Sequence, residues 1–374
     1  MALSLFEVEP GLSRALTHGF HSYAGRMHPS TARAAIAALS KVGQRVLDPF
    51  CGSGTVLVEA MASGRAATGS DASPLAVLIA KVRSTLLDEA ARRRLVSVAT
   101  EIAETAAERA RKRVRPEIPA WALRERERFS PHVALELYGL RELLGQTPED
   151  DVGYALRACL SSILVKFMQK PERGVGEPSG QRIARGLPSR FFASRTEELA
   201  RSLAALAAKT PAGTRAPEIR LADARDLRHL PDGEFHLVLS SPPYAGTYDY
   251  AEHHDVRFLW LGLPRAGLDR AQVGGRSEGL GAPEKRWRAD RRRWLGEMGR
   301  VLRPGGAAVL VVGDGVVGGQ PEDAAQAIAE EAPRAGLELR GGAAQSRPPR
   351  DHRLAAIFAG QRRREHMLVL RKPG

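Results

Sequence analysis

Short apolar runs closed by turn residues recur at both ends of the 374-residue chain. Arg45–Leu47 runs into Asp48-Pro49, and Ala66–Gly69 into Ser70-Asp71. Ile219–Leu221 precedes Ala222-Asp223, and His236–Leu239 precedes Ser240-Ser241-Pro242-Pro243. Runs of this length, bounded by such residues, predict buried strands. Ala307–Val312, after the Pro304-Gly305-Gly306 turn, and His366–Leu370 add two more. Between the first two runs, Thr55–Ala62 predicts a helix closed by Gly64. Alternation of strands with helical patterns predicts βαβ units and a mostly parallel, open α/β sheet.

From about Ser84 to Pro217 the pattern turns helical. Asp88–Arg113, Pro131–Leu144, Gly153–Gln169 and Ser194–Lys209 predict long helices, interrupted by the Gly/Pro-rich stretch Pro171–Gly186, expected to be a mobile loop. The chain therefore divides into residues 1–84 and 217–374, the two parts of one α/β domain, and a helical insertion over 85–216. A polar, Gly-rich stretch over Pro264–Pro283 predicts loop structure and no compact recognition module.

Composition narrows the class. Hydrophobic residues make up 43%, sufficient for a large core. No apolar run approaches the ~20 residues of a membrane span, and the N-terminal residues lack the basic and apolar regions of a signal peptide. A cytoplasmic protein with no membrane partner is expected. Cys51 and Cys159 are too few for a disulfide framework or a four-cysteine zinc site. The net charge of +13 favours polyanionic partners, although the chain is rich in arginine throughout.

Two loops carry candidate chemistry. Asp48-Pro49-Phe50-Cys51-Gly52-Ser53-Gly54-Thr55 joins a strand to a helix, and its glycines allow a tight turn and close approach to a ligand. No lysine follows Gly54, so this is not a Walker A loop, and it is not G-x-G-x-x-G. An acid ahead of the loop suits a cofactor bearing an ammonium group better than a pyrophosphate. Asp71 ends the next strand, where a carboxylate can accept hydrogen bonds from ribose hydroxyls. The second loop is Ser241-Pro242-Pro243-Tyr244. Consecutive prolines remove two N–H donors and hold the chain extended, leaving carbonyls as acceptors. Acceptors at Ser241 and Pro242 would draw on the N–H bonds of a base amino group, with Tyr244 as a face on which an extruded base stacks.

These residues resemble the S-adenosylmethionine-dependent amino-methyltransferases of DNA and RNA. Asp48–Thr55 is similar to their motif I and Ser241–Tyr244 to motif IV, in the Ser-Pro-Pro-Tyr form usual in cytosine-N4 DNA enzymes. Tyr23–Pro29 is similar to motif X beside the methionine end of the cofactor, Asp71 to the motif II acid, and Asp223-Ala224 to motif III at the adenine edge. The resemblance implies a Rossmann-like class I methyltransferase fold. It also implies S-adenosyl-L-methionine as cofactor, bound by Tyr23, Asp48, Pro49, Phe50, Gly52, Ser53, Gly54, Thr55, Asp71, Asp223 and Ala224. Catalysis would fall to Ser241, Pro242, Pro243 and Tyr244, acting on the N4 amino group of cytosine in DNA. An RNA guanosine-N2 enzyme, a DNA adenine-N6 enzyme and a non-catalytic nucleic-acid-binding module are the alternatives. RNA ranks below DNA, because about twenty residues ahead of Tyr23 leave no space for an added RNA-binding domain.

Beyond the family motifs, Arg286, Arg288, Arg291, Arg292 and Arg293 surround Trp287 and Trp294 and are candidates for phosphate contacts. A half-buried amphipathic helix with a solvated basic face is the equal alternative. Tyr248 and Tyr250 are expected in the base pocket and His253 and His254 on a helix surface. Methyl transfer from a sulfonium needs no metal, and none is expected.

Overall fold

The computed structural model describes residues 9–374 apart from residues 10, 115, 117–120, 122–127, 169–182, 248, 266, 276–282, 348–351 and 360–361. The first part of the chain runs α1 (Pro29–Leu39), β1 (Arg45–Asp48), α2 (Thr55–Ala62), β2 (Ala66–Asp71) and α3 (Pro74–Ser84). Helices α4 (Glu89–Arg111), α5 (Pro131–Leu144), α6 (Asp151–Leu164) and α7 (Leu187–Lys209) follow. Then come β3 (Glu218–Leu221), β4 (Phe235–Ser240), α8 (Tyr250–His253), α9 (Asp255–Leu261), α10 (Leu268–Ala271) and α11 (Glu284–Val301). The chain closes with β5 (Leu302–Gly313), the hairpin β6 (Gly315–Val317) and β7 (Gln320–Glu322), α12 (Ala324–Glu331), β8 (Glu338–Ser346), α13 (His352–Ile357) and β9 (Arg364–Arg371).

Seven strands form one sheet in the order β3-β2-β1-β4-β5-β9-β8. The first five are mutually parallel, and β9 runs antiparallel to both its neighbours. Successive residues of β1 serve opposite faces. Val46, paired with Leu237, joins Ile36 and Leu57 in the core under α1 and α2. Leu47, paired with Val238, joins Trp294 and Met298 in the core under α11. Every residue of α2 is buried, so its sequence TVLVEAMA carries almost no polar face.

Helices α4 to α7 build a third layer with an apolar core of their own, which includes Leu95, Leu137, Leu156, Phe192 and Leu203. Trp260 of α9 enters this core and stacks on Tyr138 at 4.6 Å between ring centroids, so the layer reaches the segment that follows β4.

All six strands expected from the apolar runs are present. Helix α7 begins at Leu187 instead of Ser194, because left-handed Gly186 and Pro188 start it seven residues earlier. The helix expected over Gly153–Gln169 begins at Asp151, capped by Asp150, and tightens to 3-10 geometry over Val165–Phe167. Most of Pro171–Gly186 lies outside the described residues. Strand β8 was not anticipated: its sequence ELRGGAAQS has no alternation and its residues are largely exposed, so it exists because β9 offers an edge to pair with.

Gly69 in β2 lets the loop after β1 lie against the sheet. A Cβ there would stand 2.6 Å from Leu57 Cδ1 and 3.2 Å from Cys51 Cβ, both buried. Gly69→Ala is expected to lower unfolding free energy by about 1–3 kcal/mol, as overpacking does. Urea denaturation measures it, and an unchanged midpoint would show that the loop adapts without strain.

Candidate functional site

Connections leave β1 towards β2 on one side and β4 towards β5 on the other, which opens a crevice at the carboxyl ends of β1 and β4. A cavity of about 870 Å³, its open mouth included, lies there. Its walls are Tyr23–Met27, the loop Asp48–Ser53 with Thr55, Asp71–Ser73, Asp223-Ala224, Ser241, Pro243 and a wall at Leu268 and Ala271–Val273. The cavity thus brings together residues that precede helices α4 to α7 with residues that follow them.

The loop after β1 is held at every turn. Gly54 has φ +81°, and a Cβ there would meet Ala80 Cβ at 3.0 Å, so conformation and space both require glycine. Asp71 Oδ2 accepts from Gly52 N at 2.9 Å and Oδ1 from Ser73 N at 2.8 Å, which joins the loop to the start of α3. Asp48 Oδ1 accepts from Ser240 Oγ at 2.7 Å and from Phe50 N at 3.2 Å. Burial raises the Asp48 carboxyl to about 7 against the pull of those hydrogen bonds, with a smaller push from Asp71. Burial likewise raises Asp71 to about 6.

Sequence patterns did not reveal what stands behind this loop. Arg83 is fully buried and donates to Ser53 Oγ at 2.7 Å and to the Thr17 carbonyl at 3.0 Å. Its other nitrogen lies 2.7 Å from His18 Nδ1, and His18 Nε2 lies 2.7 Å from Glu59 Oε1. Arg33 closes the chain on Glu59 Oε2 at 2.9 Å. Burial pulls His18 down to about 4, so at neutral pH it is an uncharged link between two charged groups. The available signal was spacing: Leu75, Ile79 and Arg83 fall four apart, so the arginine shares the buried stripe of α3. The wall at Leu268–Val273 was likewise missed within a stretch whose composition is merely loop-like. Gln272 Oε1 accepts from Ala251 N at 3.1 Å, and Gly246 N donates to the Gly274 carbonyl at 3.0 Å, so this wall is fastened to the segment after β4.

The remaining expected residues divide. Tyr23 lies 3.5 Å from where a Gly52 Cβ would stand and stacks on His254 at 4.7 Å. His254 is fully buried, with Arg257 against its Nδ1 at 2.7 Å, which corrects the expectation of a surface histidine. Ser241 and Pro243 face the cavity, Pro242 is buried, and Tyr244 packs on Gly313 with its hydroxyl donating to Glu365 Oε1 at 2.9 Å. Tyr248 lies outside the described residues, as does the Tyr250 side chain. Asp223 lines the cavity, but Arg225 grips its carboxylate through Nε and a terminal nitrogen while also reaching Asp290 at 2.7 Å. Its charge is therefore balanced from within the protein.

On α11 the amphipathic alternative describes the helix. Trp287 and Trp294 are buried core residues, and Trp294 packs edge-on against Phe50. Arg291 is corrected as a candidate for phosphate contact, because it is 5% exposed and paired with Glu322 at 2.8 Å. Arg286, Arg288, Arg292 and Arg293 are exposed, with Arg288 paired to Glu284 and Arg292 to Glu331.

This strand order, with a glycine loop after the first strand, defines a Rossmann-like class I methyltransferase fold. Within it, residues 17–82 match the family described as DNA methylase, of N6/N4 type, which is the family that the motifs resemble. Over 88 residues, 23% of the chain, it is 34% identical to the type II methyltransferase M.MvaI of Kocuria varians. Over 66 residues, 18% of the chain, it is 41% identical to the type II methyltransferase M.MjaII of Methanocaldococcus jannaschii. The matches span only 19% and 12% of those relatives' lengths. The solved rRNA methyltransferase AviRa of Streptomyces viridochromogenes is 14% identical, with 97% of this chain and 94% of that chain covered and a TM-score of 0.40, a likeness too loose to argue from. No described helix is long and apolar enough to cross a membrane.

The cofactor that the motif resemblance implies is S-adenosyl-L-methionine. The residues of the cavity fit that group: burial raises two carboxyls that line it, Asp48 and Asp71, and a cation bound beside them would favour their charged forms.

Asp48 binds its proton more tightly in the folded protein than in the unfolded chain. Its contribution to stability is complete below about pH 4 and is lost as pH rises through about 7. Asp48→Asn keeps an acceptor for Ser240 and carries no charge. The stability of the variant relative to wild type should therefore rise from pH 5 to pH 8, measured by urea unfolding of the ligand-free protein. A difference independent of pH would refute the raised carboxyl.

Proposed function

We propose that this protein is an S-adenosyl-L-methionine-dependent DNA methyltransferase that methylates the exocyclic N4 amino group of cytosine. The observation that carries the reading is one cavity lined by Asp48 and Asp71 on one side and by Ser241 and Pro243 on the other. The family match over residues 17–82 supports DNA as the substrate class, and the serine of Ser-Pro-Pro-Tyr supports cytosine over adenine.

When bound, the cofactor supplies an electrophilic methyl group on a sulfonium sulfur. Asp48 would answer its positive charge, and Asp71 would accept from its ribose hydroxyls. Tyr23 closes the space over Gly52, and Asp223 with Ala224 would hold the adenine side of the cofactor. The Ser241 hydroxyl and the Pro242 carbonyl would accept the N–H bonds of the target amino group and so orient its lone pair. Tyr244 supports the extruded base. Arg286, Arg288, Arg292 and Arg293 are the exposed residues of α11 offered to the phosphate backbone.

The roles separate experimentally. Asp71→Ala should weaken S-adenosyl-L-methionine binding by about 1.5–3 kcal/mol, the scale of a charge-assisted hydrogen bond. Ser241→Ala should leave that affinity unchanged and lower turnover. Calorimetry reads the first and transfer of labelled methyl groups the second. Mass spectrometry of digested substrate should find N4-methylcytosine as the only new base. N6-methyladenine would overturn the base assignment, and label in RNA alone would overturn the substrate class.

A further inference from the structure

Tyr244 stands outside the cofactor cavity's lining, and a rank of residues across three strands fixes its ring. Gly313 at the end of β5 pairs with Glu365 at the start of β9, and Glu365 pairs with Gln345 near the end of β8. Because β9 is antiparallel, these three positions meet at the end of the sheet where the loop after β4 emerges. The ring lies so close over Gly313 that a Cβ there would be 2.5 Å from Tyr244 Cδ2 and 2.6 Å from Cε2. No side chain fits beneath it. The phenol donates to Glu365 Oε1 at 2.9 Å. The other carboxylate oxygen, Oε2, accepts from Gln345 Nε2 at 2.8 Å and from Arg347 Nε at 3.1 Å.

We propose that Glu365 is a positioning residue for base recognition: held by Gln345 and Arg347, it locks the Tyr244 ring as the platform for the extruded base. The inference rests on the amino-methyltransferase reading and adds a residue to which the sequence assigned no role. A tyrosine hinged at Cα and Cβ alone can swing about χ1 and χ2, and a stacking face that swings must be ordered anew at each encounter. Anchoring the far end of the ring removes that freedom before the base arrives. The carboxylate is itself unable to pivot, since both its oxygens are engaged and its side chain is only 17% exposed. The strand register provides the spacing: the ring spans from β4 over Gly313 to the next strand, and Glu365 is the direct partner of Gly313.

The test compares wild type, Tyr244→Phe, Glu365→Ala and the double variant, with labelled S-adenosyl-L-methionine and DNA amplified in vitro so that it is unmethylated. Tyr244→Phe and Glu365→Ala should each lower kcat/KM for DNA about tenfold, the scale of one charge-assisted hydrogen bond. The double variant should lose no more than either single one, because both break the same contact. Affinity for S-adenosyl-L-methionine, read by calorimetry, should stay within about twofold of wild type, since the anchor lies outside the cofactor's walls. Tyr244→Phe removes one oxygen and keeps the ring, so it carries the test even where Glu365→Ala does not fold. Tyr244→Phe indistinguishable from wild type, or a further tenfold loss on adding Glu365→Ala to it, would overturn the proposal. If wild type itself transfers no label to DNA, the amino-methyltransferase reading fails and the proposal with it. An active wild type with insensitive variants overturns the proposal alone.

Discussion

The hydrogen bond from Ser240 to Asp48, 2.7 Å long and buried, is the contact on which the rest of the site depends. It spans the one place in the sheet where neighbouring strands lead their loops apart. β1 releases the glycine loop, β4 releases the Ser-Pro-Pro-Tyr loop, and the two strand ends are pinned together just before that divergence. A carboxylate taken out of water there is costly unless it is protonated, hydrogen-bonded or matched by a cation. Asp48 meets this partly through Ser240 and Phe50, and its raised proton affinity measures what remains unmet. A cationic ligand in the cavity would supply that remainder, so burial of this carboxyl favours a positively charged guest.

A second layer of buried polar groups makes the glycine loop rigid from behind. Arg83, His18, Glu59 and Arg33 form a continuous chain from Ser53 to the surface, with the neutral histidine between the arginine and the glutamate. Removing one member would cost its buried neighbours a partner, which is why such chains behave as units. A parallel device joins the helical layer to the site. Arg257 of α9 contacts His254 and Ser22, His254 stacks on Tyr23, and His21 bonds Ser161 of α6 at 3.0 Å. The long helical segment between β2 and β3 is thereby packed against the residues that close the cavity, not appended to the far side of the sheet.

Much of the scaffold was legible in the sequence, for a simple reason. A strand buried on both faces must be a short apolar run, and a cofactor turn must carry glycine and a chain-ending acid, so β1, β2, β4 and the two loops announce themselves within a few residues each. Tyr23, Asp48, Asp71 and Ser241 could be named because each sits in such a local pattern. Residues whose role comes from distant partners gave no comparable sign. Arg291 sits among arginines and two tryptophans in a stretch that reads as a basic patch, yet Glu322 draws it into the interior. Glu365 stands just ahead of the apolar run His366–Leu370, which predicts a strand and says nothing of a partner for the acid.

The succession of strands along the chain, the glycine turn after the first of them and the Ser-Pro-Pro-Tyr turn were determined by the sequence itself, because each depends on backbone conformation and burial over a handful of neighbouring residues. Only the tertiary structure decided which charges face the cavity and which are spent inside. That choice turns on contacts between residues far apart in the chain, such as Arg225 with Asp290 at 2.7 Å and Tyr244 with Glu365 at 2.9 Å. An ionic or hydrogen-bonding side chain carries no local mark of its partner, and whether it binds a ligand or its own protein depends on geometry set by the packing of the whole.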